Sequence, residues 1–159
     1  AAKNDRAHLS LAAQLQDHSL SRVYEAVAVG GLREDRGTVD APIGRHPVDR
    51  KRMAVDRQNG REAVTHWRVL AHYPGFTHVE CRLETGRTHQ IRVHLASIGH
   101  PLLGDVVYGS KKPVPGLAGQ CLHARRLRFT HPSTGQLVEL ECPLPGWFQD
   151  VLDRLSRLN

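Results

Sequence analysis

The sequence predicts an α+β fold built on a mixed or antiparallel sheet, and three observations carry that reading. Strand-like segments dominate, short turns marked by proline and glycine join them, and helical periodicity appears only between or after the strands. The regular strand–helix alternation of a doubly wound fold is missing, and so are G-x-G-x-x-G and G-x-x-x-x-G-K-[ST], the glycine-rich phosphate loops.

The elements follow in order. Residues 5 to 17 place Leu9, Ala12, Ala13 and Gln16 at helical spacing, with Asn4 or Asp5 able to cap. Arg22 to Val29 alternates and is valine-rich, which predicts a strand ended by Gly30-Gly31. Thr38 to Ile43 and Lys51 to Val55 are short strand candidates, and Gln58-Asn59-Gly60 reads as a hairpin-like turn. Ala63 to His72 and Thr77 to Glu84 are longer strands split by Tyr73-Pro74-Gly75. In the second of these, Val79, Cys81 and Leu83 share a packed face, leaving His78, Glu80, Arg82 and Glu84 on a solvated one. A helix capped by Thr88 is expected to bury Ile91, Leu95 and Ile98 and to stop at Gly99. Ser110 to Gly119 is too rich in proline and glycine for a regular element. Strands return over Leu122 to Thr130 and Gln136 to Cys142, and a short helix from Gly146 uses Trp147, Val151, Leu152 and Leu155.

At 159 residues, 40% apolar and 24% charged, the chain fits one globular domain over 1–159 with a core of its own. No run of 18 apolar residues supports a membrane span, and the polar start AAKNDRAHLS offers no export signal, so the expected address is cytoplasmic. Cys81, Cys121 and Cys142 are odd in number, lack C-x-x-C spacing and sit in apolar strand-like contexts, which predicts reduced structural thiols. A formal charge of +6 favours a polyanionic partner.

Chemistry-bearing residues concentrate in Glu84-Thr85-Gly86-Arg87-Thr88-His89-Gln90-Ile91-Arg92-Val93-His94, at a strand-to-helix junction where the helix start favours an anion. The alternative is that Arg87 and Arg92 are paired with Glu80, Glu84 or Glu139. His89 and His94 are five apart, off the i, i+4 spacing of a helical zinc pair, so the expected metal content is none and hydrogen-bonding roles are expected instead. Asp105, in the turn-rich stretch Gly99 to Gly109, fits a turn-building carboxylate or a catalytic one. Tyr24, among valines, fits core packing by local pattern, with a cleft hydroxyl as the sharper alternative. Arg45, His46, Arg50, Lys51, Arg52, Arg57 and Arg61 form a basic stretch suited to phosphate contacts or to a plain solvated face.

The Glu84–His94 string, followed by Gly99-His100-Pro101-Leu102-Leu103-Gly104-Asp105-Val106-Val107-Tyr108-Gly109, closely resembles the C-terminal signature of the ribosomal large-subunit pseudouridine synthases, a family of RNA uridine isomerases. Val23-Tyr24-Glu25-Ala26-Val27, Gly37-Thr38-Val39-Asp40-Ala41-Pro42-Ile43 and Arg45-His46-Pro47 extend the likeness over nearly the whole chain. The resemblance implies a catalytic domain on a mixed, largely antiparallel sheet flanked by helices. Tyr24 would be the cleft tyrosine that packs on the target base and serves proton abstraction at C5. Arg92 would pair with the nucleophilic aspartate, with Arg87, Thr88, His89, Gln90, Ile91 and Leu95 supporting the cleft and Asp105 and Tyr108 structural. The implied substrate is large-subunit ribosomal RNA, bound by a monomer, and the route implies no cofactor. In the family the nucleophile lies in a His-Arg-Leu-Asp motif shortly before the segment matched by Ala2-Lys3-Asn4. The expectation is therefore the C-terminal portion of a catalytic domain whose aspartate comes from an upstream part of the same domain, the alternative being an RNA-binding fragment without activity.

Overall fold

A computed structural model describes residues 21–49 and 51–158. The helix expected over 5 to 17 and the candidate contact Arg50 lie outside the described residues. The strands are β1 (Ser21–Val29), β2 (Arg36–Asp40), β3 (Ile43–Arg45), β4 (Met53–Val55), β5 (Val64–Tyr73), β6 (Phe76–Leu83), β7 (Leu122–Thr130) and β8 (Leu137–Glu141). Helix α1 (Gln90–Ser97) follows β6, and α2 (Gly146–Ser156) follows β8.

Six strands form one sheet in the order β2-β5-β6-β1-β7-β8, and β3 pairs with β4 as a separate hairpin. Every pairing among these strands is antiparallel. The valine- and alanine-rich β1 is central, and five of its nine residues are buried, as expected of a strand covered on both faces.

Register and alternation decide which residues meet on each face. Tyr24 stands beside Cys81, Cys81 beside Trp67 and Trp67 beside Gly37, and the neighbouring row of Glu25, Glu80, Arg68 and Arg36 points the other way. The first face packs against α1, where Ile91 and Leu95 meet Ala26, Ala28, Val79 and Cys81. The second is covered at one end by α2, whose Phe148, Val151 and Leu155 pack with Val27 and Cys121. The β6 face expected to be solvated is therefore covered in part: His78 is buried and its ring lies 5.6 Å from that of Phe148. Within α2 the inward aromatic is Phe148, and Trp147 is exposed, which corrects the expected apolar face.

Helix α1 differs from expectation at both ends. Its N-cap is His89, in the left-handed region at φ 56°, with no side-chain cap, while Thr88 is exposed. Ile98 is the C-cap and exposed; the inward face is Gln90, Ile91, Val93, His94 and Leu95. Gly99 ends the helix as predicted. Its φ of 86° lets its N–H reach Ala96 O and the His100 N–H reach Leu95 O, the double bond of a Schellman stop. The third thiol also differs: Cys142 is exposed, whereas Cys81 and Cys121 are buried and their pKa values are pushed up to about 12, by desolvation above all.

Candidate active site

The signature string is held by a buried polar network. The Gln90 carboxamide accepts from the Thr85 hydroxyl (2.6 Å) and the Arg87 N–H (3.0 Å), and donates to Val64 O (3.0 Å) and Thr65 Oγ1 (2.9 Å). Thr85 in turn accepts the Val64 N–H. The Thr65 hydroxyl is 2.8 Å from His94 Nδ1, and His94 Nε2 donates to Ala41 O at 2.8 Å. Desolvation holds the His94 pKa below the ordinary imidazole range, opposed by the Ala41 bond and by Asp40, so the ring is neutral and Thr65 donates to Nδ1. Gln90 and His94 are thus clamps that fix α1 on β5. Replacing Gln90 with leucine keeps the size but strands the Thr85 hydroxyl proton and the Arg87 N–H, while the Val64 carbonyl keeps the Glu84 N–H. The expected loss is about 2–4 kcal/mol; urea unfolding checks it, and an unchanged midpoint would show that the network does not hold the helix.

The clamp sets one wall of a cavity of about 310 Å3 lined by Arg22, Tyr24, Leu83, Gly86, Arg87, His89, Gln90, Ile91, Arg92, Gln120 and Leu122. Tyr24 is half-buried, packed at the edge of the core with its residue lining this hollow, so the local pattern's preference for full core burial does not hold. Of the other candidate residues, Arg87, His89, Gln90, Ile91 and Arg92 line the same cavity. Leu95 lies in the core beneath it, and Thr88 does not line it.

The electrostatics are one-sided: among the described residues, three arginines line the cavity and no carboxylate does. Neither Arg87 nor Arg92 takes the glutamate partners of the alternative reading, since Glu80 bonds Arg68, Glu84 bonds His66, and Glu139 faces Arg126 and Arg128. Arg87 Nε donates to Glu62 O at 2.7 Å. Arg92 makes a two-pronged bond to Asp105, Nε to Oδ2 at 2.9 Å and Nη2 to Oδ1 at 3.1 Å. Asp105 Oδ1 also accepts the Val107 and Tyr108 N–H groups, so this carboxylate is a fully engaged turn builder. Its burial would raise its pKa, but the Arg92 bond and those two amides hold it below the usual carboxylate range.

Sequence reasoning passed over Arg22 and Gln120. Arg22 sits two residues before Tyr24 on the same strand face, a spacing that could have drawn it in. Its guanidinium lies so close over Gly86 that a Cβ there would collide with Nη2. Its Nε and Nη2 are buried without a hydrogen-bond partner among the described residues. A larger hollow of about 390 Å3, lined by Arg36, Thr38, His66, Arg68, Glu80 and Arg82, opens on the opposite sheet face, away from Tyr24 and the signature string.

The basic stretch divides. Arg45, Lys51, Arg57 and Arg61 are exposed. His46 is turned inward on its own loop, its Nδ1 accepting the Val48 and Asp49 N–H groups at 3.1 and 3.0 Å. Arg52 lies over the Tyr108 ring, 5.1 Å from its centroid, with Nε buried and without a partner among the described residues.

The site is thus a hollow in a sheet-and-helix domain, walled by a tyrosine, arginines and a clamped helix start. The sequence profile of the RNA pseudouridylate synthase family matches residues 1–97, and the chain belongs to that family. It is 51% identical over 156 residues to the uncharacterized RNA pseudouridine synthase YlyB of Bacillus subtilis, covering 98% of this chain and 51% of the relative. It is also 51% identical over 164 residues to the ribosomal large subunit pseudouridine synthase D of Nitrosomonas europaea, covering 99% and 47%. The chain thus spans about half the length of these relatives. Among solved structures it is similar to human RNA pseudouridylate synthase domain containing 1, at a TM-score of 0.75 and 26% identity over 98% of this chain and 73% of the other.

Proposed function

We propose that this chain is the C-terminal portion of the catalytic domain of an enzyme that isomerises uridine to pseudouridine in large-subunit ribosomal RNA. The observation that carries the reading is the meeting of Tyr24, Arg87 and Arg92 around one cation-walled cavity in a member of this family. Several relatives are ribosomal large subunit pseudouridine synthases, which supports this RNA class. In the reaction, the target uridine is turned out of its stack into the cavity. The bond from C1′ to N1 breaks, the base rotates, and C1′ bonds to C5. C5 then loses its proton and N1 gains one. Tyr24 takes the C5 proton and stacks on the base, and the arginines offset charge on its oxygens. The exposed cations Arg45, Lys51, Arg57 and Arg61 bind flanking phosphates.

Among the described residues the cavity lining holds no carboxylate, and Asp105 is fully engaged by Arg92 and two amides. In this reading the nucleophilic aspartate comes from another part of the same domain, and Arg92 helps to keep it ionised. The enzyme works as a cytoplasmic monomer.

The test is tritium release from large-subunit ribosomal RNA labelled at uridine C5, with transfer RNA as the comparison substrate. The full-length protein is expected to release tritium from the ribosomal RNA, and the 159-residue chain alone is not. Failure of the full-length protein on every RNA tried would overturn the activity. Release by the short chain would instead place a working carboxylate inside it.

A further inference from the structure

Three parts of the molecule meet at Tyr108. Its hydroxyl receives the N–H of Met53 on the β3–β4 hairpin at 2.9 Å and lies 2.8 Å from Nδ1 of His89 at the start of α1. Its ring carries the Arg52 guanidinium at 5.1 Å and that of Arg92 at 5.0 Å. Its backbone N–H ends on Asp105.

The proton count on this phenol decides the state of His89. The Met53 amide can only donate, so it occupies a lone pair of the phenol oxygen. If Nδ1 also carried a proton, the oxygen would accept twice and its own hydrogen would need an acceptor, yet the phenol has no third partner among the described residues. Every group is satisfied when the phenol donates to Nδ1 and the ring proton sits on Nε2. That second nitrogen has no partner among the described residues, and the ring lines the cavity beside Tyr24. The backbone of His89 is held at φ 56°, a conformation that costs a non-glycine residue free energy and is kept where surrounding contacts impose it.

We propose that His89 is a neutral hydrogen-bond donor, through Nε2, to an acceptor oxygen of the nucleotide in the cavity, and that seating of the β3–β4 hairpin through Met53 and Tyr108 keeps it in that tautomer. The identity of the nucleotide rests on the function proposed above; the tautomer does not. Desolvation first, and then the positive charge of Arg92, hold the ring below the ordinary imidazole range against the opposing pull of Asp105, which agrees with a neutral ring at pH 7. The same hairpin carries the exposed cations Arg45 and Lys51, so the surface that meets phosphate and the donor in the cavity share one support.

The experiment is nitrogen-15 NMR of histidine-labelled full-length protein at pH 7.5, joined to turnover of large-subunit ribosomal RNA. In the wild type, the His89 signals should show a bare Nδ1 and a protonated Nε2, and Tyr108→Phe should give a mixture of tautomers. A wild-type ring protonated mainly on Nδ1 overturns the proposal whether or not the protein isomerises RNA. His89→Ala and Tyr108→Phe should each lower kcat about tenfold, the size of one lost hydrogen bond, with KM for RNA within about twofold. The double variant should be no slower than His89→Ala alone. Multiplying losses, or turnover unchanged in either single variant, overturn the proposal and leave the isomerase reading intact. His89→Ala should also leave the salt dependence of RNA binding unchanged; a slope lower by about one would make His89 a phosphate-bound cation instead.

Discussion

Replacing Arg92 with alanine in the full-length protein should lower isomerisation by about 100-fold or more while changing RNA affinity only about threefold. The arginine projects from a clamped helix into the cavity wall, with a side chain only 12% exposed. The proposed function therefore places it at the reacting nucleotide and not among the exposed cations. Equal losses in binding and turnover would refute that assignment. The substitution also leaves the Asp105 carboxylate buried with only two amide partners, which costs about 3–5 kcal/mol when a buried pair is broken from one side. Arg92→Lys separates the two effects: it keeps the charge but loses the two-pronged bond and the stacking on Tyr108, so it should unfold later than the alanine variant yet remain slow. Acid stability gives an independent check. The folded-state pKa of Asp105 is depressed, so its contribution is fully present above the unfolded carboxylate value, roughly 4, and is lost as pH falls through the folded value. In Arg92→Ala that acid-side loss should shrink, and denaturant melts at pH 3 and pH 7 would show it.

Replacing Phe148 with alanine should destabilise the protein by about 3–5 kcal/mol, the usual cost of emptying a large aromatic from a core. Phe148 is fully buried against His78 and the Val27–Cys121 cluster. At this chain length the expected fall in Tm is roughly 10 °C. Trp147→Ala, one residue earlier and 40% exposed, should cost well under half as much. Calorimetry of the two variants decides the matter; similar losses would mean that α2 is held by its outer aromatic as well.

Much of this was legible in the sequence, for physical reasons that differ by residue. The long strands were readable because alternation and the Tyr73-Pro74-Gly75 turn are local signals, and Gly99 was readable as a stop because only a local backbone turn is needed there. The inward choice of Phe148 over Trp147 was not, since both are apolar and the tertiary partner, His78, lies 70 positions earlier in the chain. Thr88 looked like a cap because threonine caps helices in general, but the clamp on Gln90 moves the helix start one residue onward and leaves His89 in the left-handed region. Within the site, the signature string identified Arg87, His89, Gln90 and Arg92 as neighbours of one cavity. It could not show that Arg92 takes Asp105 as its partner, which depends on how the Asp105 turn folds back on α1, or that Arg52 lies over Tyr108, which depends on where the β3–β4 hairpin docks.

The central place of β1 has a consequence for how the chain must come together. One of its edges pairs with a strand about 55 residues later, as in Glu25 with Glu80, and the other with a strand about 100 residues later, as in Glu25 with His123. At translation speeds of about 5–20 residues per second, the second edge of a valine-rich strand stays unpaired for roughly 5–20 s after it leaves the ribosome. Contacts this far apart in sequence also carry a large loop-closure entropy, which slows their formation. The strand that brings Tyr24 to the cavity thus waits longest for its second neighbour, and during that interval its open edge is exposed to mispairing.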